Sequence, residues 1–251
     1  MRLLAAIVVI PARFGSTRFP AKILASETGR PLVQHVVDQV RKCKRVQEII
    51  VATDDQRIAD ALARFDTPCV MTDPAHQSGT DRIAEVMKDR KAPIVVNVQG
   101  DEPEIEPGIV DRLIERLETS SDDMATAATP FPAGSDPKNP NLVKVIHDAN
   151  GRAIYFSRSL IPFHREADFS GNVPYNLHLG IYAYRRDFLL TFASWSPTPL
   201  ELTEKLEQLR ALEHGRSIYV LKVDRATHGI DTPEQYAEFV KRWKSNLSNT
   251  Y

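Results

Sequence analysis

Leu3-Leu4-Ala5-Ala6-Ile7-Val8-Val9-Ile10, running straight into Pro11-Ala12-Arg13-Phe14-Gly15-Ser16-Thr17-Arg18-Phe19-Pro20-Ala21-Lys22, decides the fold class. A continuous apolar run of eight residues, without polar alternation, is the pattern of a strand covered on both faces. The segment superficially resembles the apolar region of a signal peptide. It ends, however, in Pro11-Ala12-Arg13 instead of a small-residue cleavage site, so a buried first strand is the better reading.

Outward from this stretch, short Val- and Ile-rich runs alternate with segments of helical period, the signature of a mostly parallel sheet covered by helices. Strands are expected over residues 3–10, 48–52, 68–71 and 93–98, and helices over 31–43, 55–64, 80–89 and 108–117. Pro31 suits a first helical turn, and Asp54 or Asp55, Ser78 and Thr80 are candidate caps. The second half changes character. Residues 142–147 and 152–156 flank Asp148-Ala149-Asn150-Gly151, which reads as a β-hairpin, and 176–184 as a further strand. Leu202, Leu206, Leu209 and Leu212 recur at helical spacing, predicting one amphipathic helix over 201–214 stopped by Gly215. Residues 217–223 and 232–243 complete the set. One α/β domain over residues 1–251 is expected, with an inserted antiparallel subregion at about 130–185.

Composition narrows the function. With 32 Lys plus Arg against 33 Asp plus Glu, the formal charge is −1, which argues against nucleic acid as a partner. A hydrophobic content of 42% with 26% charged residues excludes disordered and fibrous classes. No apolar run approaches the ~20 residues of a membrane span, so no membrane insertion is expected. Cys43 and Cys69 lie in no disulfide or zinc pattern and read as reduced thiols of a cytoplasmic protein.

In open α/β sheets, ligands bind beyond the carboxyl ends of parallel strands. The loop after the first strand gathers Arg13, Arg18 and Lys22 with Gly15 and two hydroxyl residues, a composition suited to a polyphosphate. It is neither a Walker A loop nor GxGxxG, and a solvated basic loop is the bland alternative. Gln99-Gly100-Asp101-Glu102-Pro103 follows the strand over 93–98. There Asp101 reads either as a turn cap or as a ligand for Mg²⁺, Gln99 can hydrogen-bond a base or sugar, and Gly100 lets backbone approach a ligand. Asp231, in His228-Gly229-Ile230-Asp231-Thr232-Pro233, reads as a helix cap or as a second carboxylate. Gln77-Ser78-Gly79-Thr80 combines caps with donors and room at Gly79. His178, within an apolar strand, reads by itself as a core histidine. Glu207-Gln208 reads by itself as a solvated face.

Together, Ile10-Pro11-Ala12-Arg13 with Ser16-Thr17-Arg18, Val51-Ala52-Thr53-Asp54, Ser78-Gly79-Thr80, Asn97-Val98-Gln99-Gly100-Asp101-Glu102-Pro103, Tyr155-Phe156-Ser157-Arg158, His178-Leu179-Gly180, Leu206-Glu207-Gln208-Leu209-Arg210 and Asp231-Thr232-Pro233 resemble the 3-deoxy-manno-octulosonate cytidylyltransferases, from about residue 7 to 240. One departure is visible: Pro20-Ala21-Lys22 stands where the family has Pro-Gly-Lys. The resemblance implies a Rossmann-like nucleotidyltransferase fold with helices on both faces of the sheet. It also implies the conversion of CTP and the acid sugar Kdo (3-deoxy-D-manno-octulosonate) to CMP-Kdo and pyrophosphate for lipopolysaccharide biosynthesis, with Mg²⁺, in a homodimer.

By the same resemblance, Arg13, Lys22, Asp101 and Asp231 would be catalytic, the two aspartates as Mg²⁺ ligands. Pro11, Ala12, Arg13, Lys22, Gln77, Ser78, Gln99 and Asp101 would bind the nucleotide. Gln99, Arg158, His178, Tyr182, Glu207 and Gln208 would bind the sugar. A cytidylyltransferase for 8-amino-8-deoxy-Kdo or another acid sugar is the nearest alternative. A noncatalytic nucleotide-binding module is disfavoured by retention of Asp101, Asp231 and Lys22, and a glycosyltransferase by the lack of an Asp-x-Asp after a strand.

Overall fold

The computed structural model describes residues 6–16, 18–132, 134–165, 175–225 and 229–248. Residues 3–5 of the first expected strand, Thr17 of the first loop and His228 lie outside them. The chain divides into two compact units, residues 1–111 with 227–251 and residues 112–226.

The first unit is the parallel layer. β1 (Ala6–Ala12) pairs in parallel with β2 (Val46–Thr53) and with β4 (Ile94–Asn97), and β2 pairs in parallel with β3 (Cys69–Met71). α1 (Leu32–Val40), α2 (Gln56–Ala63) and α3 (Gly79–Lys88) make the connections. β4 is buried at every position, as an apolar strand without alternation requires. The caps resolve. Asp55 accepts the amide of Arg57 at the start of α2, and Ser78, not Thr80, caps α3 in a reciprocal box with Asp81. Pro31 is the residue before α1 rather than its first helical residue.

The second unit begins within α4 (Pro107–Thr119), and in it β5 (Met124–Pro130) pairs in parallel with β9 (Ile218–Lys222) and antiparallel with β8 (Asn176–Arg185). β6 (Lys144–His147) and β7 (Ala153–Ser157) form the expected hairpin, and β6 also pairs antiparallel with β8. Gly151 closes that turn at φ +81°, where a Cβ would collide with the Tyr219 ring at 2.7 Å. α5 (Arg186–Ser194) follows β8.

The single helix expected over 201–214 is instead two, α6 (Pro199–Glu204) and α7 (Gln208–Glu213), broken where Lys205 adopts a left-handed φ of 54°. The cause is tertiary. Arg158 donates Nε to the Glu204 carbonyl and Nη2 to the Lys205 carbonyl, satisfying groups that would otherwise continue the helix. Arg210 spans the break with a buried two-pronged pair to Glu201, at 2.7 and 2.5 Å.

The last helix, α8 (Pro233–Ser248), returns to the first unit. There Tyr236, Phe239 and Val240 pack with Leu32 and Ile230 in one apolar cluster. His35 stacks edge-on against Phe239 and Trp243 inside it, and burial lowers its pKa to about 4. Burial likewise pushes the Cys43 and Cys69 thiols up, to about 12 and about 11. Both cysteines are free thiols, as their spacing predicts. No helix among the described residues is long and apolar enough to cross a membrane.

Candidate active site

The carboxyl ends of β1 and β4 carry the two loops singled out in the sequence. Pro11 is their common support. A Cβ on Gly79 would meet the Pro11 ring at 3.3 Å, and one on Gly100 the Pro11 carbonyl at 3.1 Å and the Ile23 side chain at 3.3 Å. The room expected for a ligand at these two glycines is therefore taken by the first loop itself. The loop is fixed again at Phe14, whose ring lies 3.4 Å from the Arg57 guanidinium carbon.

Lys22 is the centre of the site. Ala21, at φ 55° and ψ 23°, turns the chain through the left-handed region and starts a short 3-10 turn, Lys22–Leu24. The Lys22 ammonium then donates to Asp101 Oδ2 at 2.6 Å, the Ile230 carbonyl at 2.7 Å and Asp231 Oδ1 at 2.9 Å. Burial acts to lower its pKa, but the charge and hydrogen bond of Asp101, then those of Asp231, outweigh this and hold it above the ordinary value. Arg18 closes on the other oxygen of Asp231 at 2.9 Å.

Ile230 places the second carboxylate. Its side chain is 3% exposed in the α8 cluster and its N–H donates to the Asp101 carbonyl at 2.8 Å. Asp231 is thus fixed beside Asp101, and its side chain does not cap α8. That role falls to a box formed by Thr232 and Gln235, in which Gln235 Oε1 accepts from the backbone N–H of Thr232 and the backbone N–H of Gln235 donates to Thr232 Oγ1.

Around this centre, Ala12 is buried at the end of β1 while Arg13 is exposed and makes no ion pair among the described residues. Gln77 donates to the Ala75 carbonyl and Gln99 to Asn97 Oδ1. Arg82, 1% exposed, pairs with Asp54 at 2.7 Å and also donates to Thr72 Oγ1, tying the end of β2 to α3.

In the second unit, His178 and Tyr182 lie along β8 with ring centroids 5.5 Å apart. Burial depresses the His178 pKa to about 3, while burial and then the Glu207 charge raise that of Tyr182. The helix break puts Glu207 and Gln208 at the start of α7. Gln208 is 4% exposed and its Nε2 is a buried donor without a partner, a group poised for a ligand rather than a solvated surface side chain. The Arg158 guanidinium donates to three backbone carbonyls, those of Glu204, Lys205 and Pro140. Beside it, the fully buried Lys144 ammonium donates to the carbonyls of Asn139, Leu142 and Arg158.

The structure therefore brings Lys22, Asp101 and Asp231 together in the first unit, and His178 with Tyr182 and Glu207 in the second. A cytidylyltransferase family model matches residues 7–218. A 3-deoxy-manno-octulosonate cytidylyltransferase of Geobacter metallireducens is 47% identical over 243 residues, covering 93% of this chain and 96% of that protein. The chain belongs to the 3-deoxy-manno-octulosonate cytidylyltransferase family. The cytidylyltransferase of that name from Geotalea uraniireducens is 48% identical, covering 94% of this chain and 98% of its own. A solved structure of CMP:2-keto-3-deoxy-manno-octonic acid synthetase complexed with CTP superposes with a TM-score of 0.90 at 38% identity, covering 96% of this cytidylyltransferase chain and 99% of its own. The sheet order β3-β2-β1-β4 of the first unit, with the loops after β1 and β4 carrying Lys22 and Asp101, is thus the Rossmann-like nucleotidyltransferase arrangement that the sequence resemblance implied.

Proposed function

We propose that the chain transfers the cytidylyl group of CTP to the anomeric 2-hydroxyl of Kdo, releasing pyrophosphate, as a cytoplasmic homodimer serving lipopolysaccharide synthesis. The observation that carries this reading is the Lys22 ammonium held between Asp101 and Asp231, with Arg18 on the outer oxygen. Two carboxylates spaced around one cation are a hard-oxygen donor set, and Mg²⁺ is commonly bound by one or two carboxylates together with substrate phosphates. Asp101 and Asp231 fit that ion and would hold it. Bound there, Mg²⁺ would neutralise phosphate charge and ease proton loss from a coordinated hydroxyl. The family match runs across both units, which supports reading them as one catalytic domain.

The chain's own residues supply the rest. Arg13, exposed and unpaired, would take the triphosphate oxygens, and Lys22, its three N–H groups committed to Asp101, Ile230 and Asp231, would face them with its charge and hold the carboxylates in place for in-line displacement at the α-phosphorus. Ser78 and Gln99, with the backbone at Pro11 and Ala12 and the amide of Gln77, would read the cytosine and ribose. Ser78 keeps its hydroxyl proton for this, because in the cap it only accepts. His178, Tyr182, Glu207 and Gln208 would bind the sugar, with Arg158 ordering the segment that carries Glu207.

A pyrophosphate-release assay across the four nucleoside triphosphates, with Kdo, 8-amino-Kdo and sialic acid as acceptors, tests this. Turnover is expected with CTP and Kdo and is expected to stop in excess chelator. Equal turnover with UTP, or full activity in chelator, overturns the assignment. Sedimentation at the monomer mass of 28.2 kDa at all concentrations would overturn the homodimer.

A further inference from the structure

β5 and β8 do not pair evenly. Thr126 faces Tyr182, yet the next residue, Ala127, faces Leu179, so Gly180 and Ile181 form a bulge in β8. A bulge leaves ladder carbonyls without their partners. Here the fully buried Thr126 hydroxyl fills the gap, with Oγ1 2.8 Å from the Ile181 carbonyl and 3.2 Å from the Leu179 carbonyl. The same oxygen stands 3.0 Å from His178 Nε2.

A threonine hydroxyl has one proton to give and lone pairs to receive with. Two of its three neighbours are carbonyl oxygens, which only accept, so the proton must point at them; otherwise oxygen lone pairs would face each other in a buried site. The contact to His178 then has one remaining sense, in which Nε2–H donates and Thr126 Oγ1 accepts. Burial holds the ring neutral at physiological pH, so only one ring nitrogen carries a proton. Nδ1 is the other, and it has no hydrogen-bond partner among the described residues.

We propose that Thr126 is a positioning residue that fixes His178 as the Nε2–H tautomer, leaving Nδ1 as a bare acceptor for a sugar hydroxyl rather than a partner for the sugar carboxylate. This rests on the placement of His178 in the sugar site made above. A lone pair at Nδ1 attracts a hydroxyl proton and repels a carboxylate, so the acid group of the sugar must be met elsewhere. The Gln208 Nε2 donor, buried and unpaired, is a group of the right polarity for it.

The tautomer is directly visible in the ring-nitrogen NMR correlations of the ¹⁵N-labelled full chain near neutral pH. Wild type is expected to show a protonated Nε2 and an unprotonated Nδ1 for His178. Thr126→Ser keeps the hydroxyl and is expected to keep both the tautomer and the KM for Kdo. Thr126→Val is expected to give mixed tautomers and to raise the KM for Kdo about tenfold while leaving the KM for CTP within about twofold, the scale of one lost hydrogen bond. A protonated Nδ1 in the wild type overturns the proposal, and that measurement needs no variant to fold. So does a Thr126→Val chain with the tautomer and KM unchanged. Failure of the underlying placement looks different: His178→Ala would leave the KM for Kdo unchanged while the wild-type spectrum still shows the Nε2–H form.

Discussion

Lys22 Nζ and Asp101 Oδ2, 79 residues apart in the chain, meet at 2.6 Å. The same ammonium reaches Asp231 at 2.9 Å, so substitution at either carboxylate alters a single three-residue arrangement. Asp101→Asn and Asp231→Asn are each expected to reduce turnover about 10²-fold or more, about 3 kcal/mol of lost transition-state stabilisation. Thr232→Ala, which removes the true cap of α8, is expected to do the reverse, lowering stability by about 1 kcal/mol with turnover within about twofold. Saturating kinetics beside thermal melting of the three variants separates the two patterns. Asp231→Asn retaining more than about a third of wild-type turnover would remove Asp231 from the site.

Ala21→Gly is expected to stabilise the chain. A left-handed conformation costs a residue with a Cβ roughly 1–2 kcal/mol, and Ala21 sits there at φ 55°. Glycine adds unfolded-state entropy worth about 0.4–1 kcal/mol in the opposite direction, so the net gain is between about 0 and 1.6 kcal/mol, about 0.8 kcal/mol at mid-range. A rise in urea midpoint with unchanged slope would bear this out; a fall would show that the Ala21 methyl makes a compensating contact.

Arg158→Lys keeps the charge but cannot present a planar fork to three carbonyls. We expect a loss of about 1–3 kcal/mol from the carbonyls left unpaired, with a raised KM for Kdo because the segment before Glu207 loosens. Unchanged melting and kinetics would mean that α6 ends at Lys205 without help from Arg158.

His35 and His178 make stability depend on pH in a defined window. Their folded-state pKa values, about 4 and about 3, lie below the unfolded value of 6.5. Above pH 6.5 neither state binds the proton and stability is flat. As pH falls from 6.5 towards 4, the unfolded chain takes protons that the folded chain refuses, so stability falls, on the order of 1 kcal/mol per pH unit for each histidine. Urea titrations at descending pH should show this slope, and His35→Gln should remove about half of it.

The parallel layer was legible from the sequence because its central strands, β1 and β4, are almost wholly buried and its helices begin at recognisable caps such as Asp55 and Ser78. β5 was not. Met124–Pro130 is mostly alanine and threonine, with little of the branched content that marks a strand, and it is a strand because β8 and β9 flank it. The break between α6 and α7 was equally hidden. Leucines from Leu202 to Leu212 keep helical spacing throughout, and what interrupts them is the guanidinium of Arg158, just past β7 and more than 40 residues earlier. Among candidate site residues, the loops gave Lys22, Asp101 and Asp231, although only the folded chain distinguishes a carboxylate that caps from one that does not. Thr126 left no signal in the sequence, since its role exists only opposite a bulge.

The charges at the first-unit site close on themselves. Lys22 and Arg18 contribute two positive charges, Asp101 and Asp231 two negative ones, and the sum is zero before any divalent ion arrives. A pair of carboxylates that had to wait for metal would repel each other during folding and tie the protein's survival to its ion supply. Here the chain completes itself with its own ammonium. Under the proposed metal-dependent reaction, scarcity of the divalent ion would then silence the enzyme without unfolding it, and returning the ion would restore activity to molecules already made.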